Sequence, residues 1–215
     1  MNEQIKHWDG PGLDAWRPWT PREVSEILRG ISAPWCVVGG WAIELALGVP
    51  HRAHDDIEIA VPRSSFPEMR DHLAAFRIHV VGDGEVRTLA PQELPPSDKH
   101  QNWILDTEKN VWRMDVMLEP GDAEQWVYRR DERICAPRAQ VIAARDGIPY
   151  LRPQAALLFK GKSPREKDEA DLVACLPHLD PSARAWLVSA LELVHPGHPW
   201  IARLGAEIAS DLPGC

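Results

Sequence analysis

Between residues 35 and 61 the chain reads strand, glycine pair, helix, strand, and this order limits the possible fold more than any other stretch. Trp35-Cys36-Val37-Val38 is a short apolar run with β-branched residues, and Gly39-Gly40 follows it directly. Trp41 to Leu47 has helical spacing and ends at Gly48, a residue suited to the left-handed conformation that closes helices. In Asp56-Ile57-Glu58-Ile59-Ala60-Val61 the apolar residues recur at the period of two that a strand requires, and Pro62 stops the run. On such a strand Asp56 and Glu58 share one face, and Ile57, Ile59 and Val61 the other.

The remaining elements follow from caps and periodicity. The stretch DGPGLDAWRPW reads as an irregular arm. Thr20-Pro21-Arg22-Glu23 is a capping box with proline at the first helical position, which predicts a helix to about Arg29. Ser65-Phe66-Pro67-Glu68 predicts another through about Phe76. Strands are expected at Arg77 to Val81, Asn102 to Leu105 and Val111 to Leu118, the last two forming a hairpin across Asp106 to Asn110. From Pro153 the pattern turns helical: Pro153 to Lys160, Ser163 to Leu176 opened by a Ser163-Pro164-Arg165-Glu166 capping box, and Pro181 to Val194. A boundary near Gly147 to Arg152 divides a domain of residues 1–147 from a small helical carboxy-terminal domain, 148–215.

Composition narrows the class. With 44% apolar residues in 215, the chain can bury a core of its own. Its start lacks the basic-then-apolar pattern of a signal peptide, and no apolar run approaches the roughly 20 residues of a membrane span, so the expected compartment is the cytoplasm. Cys36, Cys135, Cys175 and Cys215 lie far apart with no C-x-x-C pair, which argues for reduced thiols rather than a zinc ribbon or redox dithiol. A net charge of −8 repels polyanions and makes nucleic acid a poor substrate.

The acids carry the chemistry. Two carboxylates side by side repel unless water surrounds them or a hard cation such as Mg²⁺ supplies the missing charge. On the strand Val111 to Leu118, the residues Trp112, Met114, Val116 and Leu118 form the apolar set, so Asp115 points the other way. If the two strands are neighbours, Asp56, Glu58 and Asp115 converge. Asp106 competes for the third position should the register slip. The plain alternative, a solvated acidic face, is weakened by Gly39-Gly40, whose amides at a helix amino terminus can approach phosphate oxygens.

The run GGWAIELALGVPHRAHDDIEIAV, Gly39 to Val61, resembles the signature of the DNA polymerase beta-like nucleotidyltransferases, in particular the aminoglycoside and lincosamide nucleotidyltransferase branch. The likeness lies in the GGWA opening, in Arg52, His54, Asp55 and Asp56, and in the gap between glycines and acids. Tyr150 to Leu172 is similar to the helical tail of such enzymes. Glu58 departs from the pattern, where the second metal acid is most often Asp. The resemblance implies an α+β fold: a mixed β-sheet flanked by helices, with the small helical carboxy-terminal domain closing over the nucleotide. It also implies attack of a substrate hydroxyl on the α-phosphorus of Mg²⁺-bound NTP, ATP being the expected donor, with release of pyrophosphate. Two Mg²⁺ ions would be held by Asp56, Glu58 and Asp115, Asp115 taking the hydroxyl proton. Gly39 and Gly40 would cradle phosphates, with Arg52 and Lys160 reaching the triphosphate, and Lys162 a further candidate. The acceptor would be a small hydroxylated molecule, such as an aminoglycoside-like antibiotic.

Other readings stay open from sequence. Asp168 and Asp171, at i and i+3 on one helix face, could supply the base or order the site. His51 and His54 beside an Asp pair invite a metal phosphohydrolase reading, although such ligands usually come from helices. The same fold could modify a protein or RNA partner in a toxin–antitoxin or defence system, or bind nucleotide without turnover.

Overall fold

The computed structural model describes residues 10–210, with side chains to Gly205, so Cys215 lies outside the described residues. In chain order the elements are α1 (Pro21–Ile27), β1 (Cys36–Val37), α2 (Gly39–Leu47), β2 (Glu58–Pro62), α3 (Phe66–His72), β3 (Arg77–Gly82), β4 (Glu85–Thr88), β5 (Gln101–Asp106) and β6 (Val111–Glu119). They continue as β7 (Gln125–Val127), β8 (Cys135–Pro137), α4 (Arg138–Val141), β9 (Ile142–Arg145), β10 (Ile148–Leu151), α5 (Pro153–Lys160), α6 (Glu166–Cys175), α7 (Pro181–Val194) and α8 (Pro199–Ser210). Eight strands form one mixed sheet in the order β4-β3-β5-β6-β2-β1-β10-β9, and β7 and β8 pair separately.

Local chemistry accounts for the elements that the sequence marks. At α1 the Thr20 hydroxyl accepts from the Glu23 amide at 3.3 Å, and the Glu23 carboxylate accepts from the Thr20 amide at 2.7 Å. Both orphan donors of the first turn are thereby satisfied. The hairpin of β5 and β6 closes as expected, pairing Asp106 with Val111. The amino-terminal arm is irregular but anchored: the Arg17 amide donates to the Trp112 carbonyl and the Trp112 amide to Ala15, beside β6.

Two cores flank the sheet. Ile57, Ile59, Val61, Met114, Val116 and Leu118 point to one side, among Phe66, Met69 and Val24. Cys36, Ala42, Ile43 and Ala60 join the carboxy-terminal helices through Leu157, Leu158, Leu172, Leu187 and Trp200. Residues from α2 and from α5 to α8 therefore share one apolar interior, which is what brings α6 over the glycine pair. Cys36, Cys135 and Cys175 are free thiols. Among the described residues no helix is long and apolar enough to cross a membrane.

Three expectations need correction. The strand predicted from Asp56 begins at Glu58, because the Trp41 indole takes the Asp56 carbonyl at 3.1 Å and draws it toward α2. The helix predicted from Ser65 is preceded by a 3₁₀ turn, Arg63–Ser65, and Ser65 caps nothing. The capping box at Ser163 does not form; α6 starts at Glu166, and the Asp168 carboxylate accepts from the Arg165 amide at 3.0 Å instead. Beside the boundary expected at 147, the tight Asp146-Gly147 turn joins β9 to β10, and β10 pairs parallel with β1 inside the sheet.

Candidate active site

Parallel pairing of β2 with β6 puts Glu58 directly opposite Asp115. Asp115 is 3% exposed, accepting at 2.8 Å from the Gln101 side chain and at 3.1 Å from the Asn102 amide. Burial first, and the Glu58 charge second, push its carboxyl up to about 7. Burial and then Asp56 likewise raise Glu58. Two neighbouring carboxylates thus resist ionising together, as like charges in a dry place must. Asp56 stands two residues before Glu58 on the exposed chain that enters β2, and it lines a small cleft with Glu58.

The glycine pair makes room for this arrangement. Gly39 has φ 67°, and a methyl group there would collide with the Glu58 carboxylate; one on Gly40 would meet Arg52 and His54. The longer side chain of Glu58 thus folds back against a position that only glycine can fill without strain. The amino terminus of α2 carries no side-chain cap, so its first amides remain open to an anion. Around them, Arg52, Lys160, Arg165 and Lys167 line the small cleft of about 90 Å³, together with Gly39, Gly40, Asp55, Asp56 and Glu58. A larger cavity of about 460 Å³ adjoins it and shares Val38, Gly39, Glu58, Lys160 and Arg165.

Across the cleft, α6 supplies a closed network. Asp171 is fully buried and accepts from Arg52 at 3.0 and 3.2 Å, with Lys160 at 2.8 Å and the His51 ring at 3.4 Å. Lys160 also meets Asp168 at 2.9 Å, and Arg165 approaches Asp168 at the same distance. Burial alone would raise both carboxyls; hydrogen bonds from Arg165 and Lys160 hold Asp168 well below the usual carboxylate range, and those from Arg52 and Lys160 lower Asp171. His54 stacks on Trp41 at 4.4 Å and meets Glu44 at 3.0 Å, while Glu44 also accepts from the His51 and Arg52 amides. The segment from His51 to Asp56 is therefore bolted to both α2 and α6.

Of the residues singled out by sequence, the structure brings together Glu58, Asp115, Gly39 and Gly40, with Asp56 at the mouth. Asp106 is spent elsewhere: its carboxylate accepts from Arg113 at 2.9 Å and from the Lys109 amide at 3.1 Å. The His51 and His54 rings lie 3.4 Å from Asp171 and 3.0 Å from Glu44, and among the described residues neither joins a group of three metal-ligating side chains. Lys162 lines the larger cavity. Sequence reasoning passed over Arg165 and Lys167 as site residues; the run Ser-Pro-Arg-Glu looked like a cap and hid a cation.

Whether Mg²⁺ suits these residues can be judged from the donors. Among the described residues no three His, Cys, Asp or Glu side chains are spaced as a finished metal cage. The Glu58–Asp115 pair nonetheless offers hard oxygen donors whose mutual repulsion a divalent cation would relieve, so the donor set fits the ion.

The family model of the aminoglycoside-2''-adenylyltransferases matches residues 22–174. The solution structure of the antibiotic-resistance factor ANT(2'')-Ia is similar over 88% of this chain and 93% of its own, with 14% identity and a TM-score of 0.51. The crystal structure of ANT(2'')-Ia in complex with adenylyl-2''-tobramycin is similar over 80% of this chain and 95% of its own, at 15% identity and a TM-score of 0.53. At such identities these two likenesses establish the fold, a mixed sheet flanked by helices. A search of curated proteins gave no match. With the model spanning most of the sequence, the chain belongs to the aminoglycoside-2''-adenylyltransferase family and is a nucleotidyltransferase.

Proposed function

We propose that this enzyme moves a nucleoside monophosphate from a Mg²⁺-bound NTP, ATP being the donor to try first, to a hydroxyl of a small molecule. The observation that carries the reading is the in-register pair of Glu58 and Asp115 beside Gly39, at the junction of two clefts lined by cations. Mg²⁺ bound by Asp56, Glu58 and Asp115 would stabilise charge on the attacking and leaving oxygens. The amides at Gly39 and Gly40 receive phosphate oxygens, and Arg52 and Lys160, already aligned by Asp171, present positive charge to the triphosphate. Asp168 and Asp171 are tied to cations and are poor proton acceptors, which leaves Asp115 as the carboxylate for the hydroxyl proton. We read the division at residue 147 as functional: 1–147 carries the acids, and 148–215 brings Lys160 and Arg165 over them.

The acceptor class is inherited from the family, so aminoglycosides lead the panel and lincosamides follow. The test is mass spectrometry of tobramycin, other aminoglycosides and lincomycin incubated with each NTP and Mg²⁺, watching for the mass gain of one nucleotide. Asp56→Asn should abolish the gain without changing the unfolding midpoint. Near-normal transfer by that variant would end the reading.

A further inference from the structure

Two consecutive arginines after β7 meet the same aromatic ring in different ways. Arg130 sits with its guanidinium carbon 5.4 Å from the Phe159 ring centroid, and its Nη1 donates to the Phe159 carbonyl at 2.7 Å. That arginine is used by the fold. Arg129 lies over the same ring at 5.8 Å, yet among the described residues it makes no hydrogen bond or ion pair. The ring itself is fixed, meeting Tyr128 edge-on at 4.7 Å and Trp126 at 6.3 Å.

Arg129 is half-buried in the wall of the 460 Å³ cavity that also holds Gly39, Glu58, Lys160 and Arg165. Burial first, and the Arg130 charge second, disfavour its cation, while Glu58 and Asp115 are the acids whose field reaches it. Retaining a partly desolvated guanidinium without a hydrogen-bonding anion is costly, and a ligand that supplied one would recover that cost. A guanidinium presents paired donors that match two oxygens of one phosphate. The cation–π contact with Phe159 restrains the guanidinium before any ligand arrives.

We propose that Arg129 is a phosphate-binding residue, whose guanidinium grips oxygens of the bound nucleotide's phosphate chain from the larger cavity while Arg52 and Lys167 line the smaller cleft. The assignment rests on the nucleotidyl-transfer reading above. It adds a cation from the segment between β7 and β8, a part of the chain that the motifs do not touch.

Calorimetric titration of Mg·ATP and of adenosine into the full chain, R129M and R129K tests it. R129M keeps the apolar stem against Phe159, so its unfolding midpoint should stay within about a degree of wild type. Its affinity for Mg·ATP should fall about tenfold with adenosine binding unchanged, and R129K should recover only part, because an ammonium cannot pair two oxygens in a plane. If R129M binds Mg·ATP as wild type does, or loses adenosine equally, the role of Arg129 is overturned and nucleotidyl transfer stands. If wild type binds no Mg·nucleotide, both fall.

Discussion

On the α6 side of the cleft Asp171 and Asp168 share Arg52, Lys160 and Arg165 in contacts of about 3 Å, whereas on the sheet side Glu58 faces Asp115 with no such partner. In the first wall both acids are paired, and three cations against two carboxylates leave one positive charge over. The second holds like charges together, and Arg129 beside it makes no ion pair among the described residues. Pairing holds the cations of the first wall in fixed positions, and unpaired like charges give the second its affinity for a cation. The difference separates carboxylates that fix the cations of the cleft in place from carboxylates whose own charge is left unpaired.

Three measurements can break or sharpen that contrast. The largest effect belongs to Asp115→Asn, which should reduce transfer by about 10³-fold or more while leaving the metal-free protein at least as stable as wild type. A loss of stability there would mean that the carboxylate supports the fold, and the contrast would fail. Asp171→Ala should do the reverse to the fold, costing about 3 kcal/mol in urea unfolding, since it strands Arg52 and Lys160 without their buried partner. If it unfolds at the wild-type midpoint, the network is ornamental.

The smallest effect is in pH. Asp168 and Asp171 titrate below the ordinary aspartate value, so the stability they contribute is fully present above about pH 4 and is lost as pH falls through their depressed values. In Asp171→Asn that acid limb should flatten over the same range. An unchanged limb would assign acid unfolding to other carboxylates.

The sequence exposes some of this design and hides the rest for physical reasons. Capping chemistry is local, and so Thr20 with Glu23 is visible, as are α5 and α7. The pair Glu58 and Asp115 is legible because side-chain alternation fixes a face before the partner strand is known. The neighbourhood of Asp56 was harder: its departure from the strand depends on Trp41, fifteen residues away. Asp83-Gly84 and Asp146-Gly147, with φ of 53° and 75° and of 51° and 79°, form the tight turns joining β3 to β4 and β9 to β10. That dipeptide is a hairpin signal the residues offered. Pro149 in β10 and Pro137 in β8 occupy strands, where proline is disfavoured, because tertiary pairing outweighs local preference. Arg129 carries no motif, and only folding brings it to the acids.

The pairing of β10 with β1 has a consequence for synthesis. Val37 finds its parallel neighbour in Tyr150, so the strand that leads into the glycine pair keeps a bare edge until more than a hundred further residues have left the ribosome. Such distant closure is slow, and an open edge in the meantime invites pairing with another nascent chain. A product halted before Ile148 would carry Asp56, Glu58 and Asp115 and still lack the strand that seals the sheet beside them.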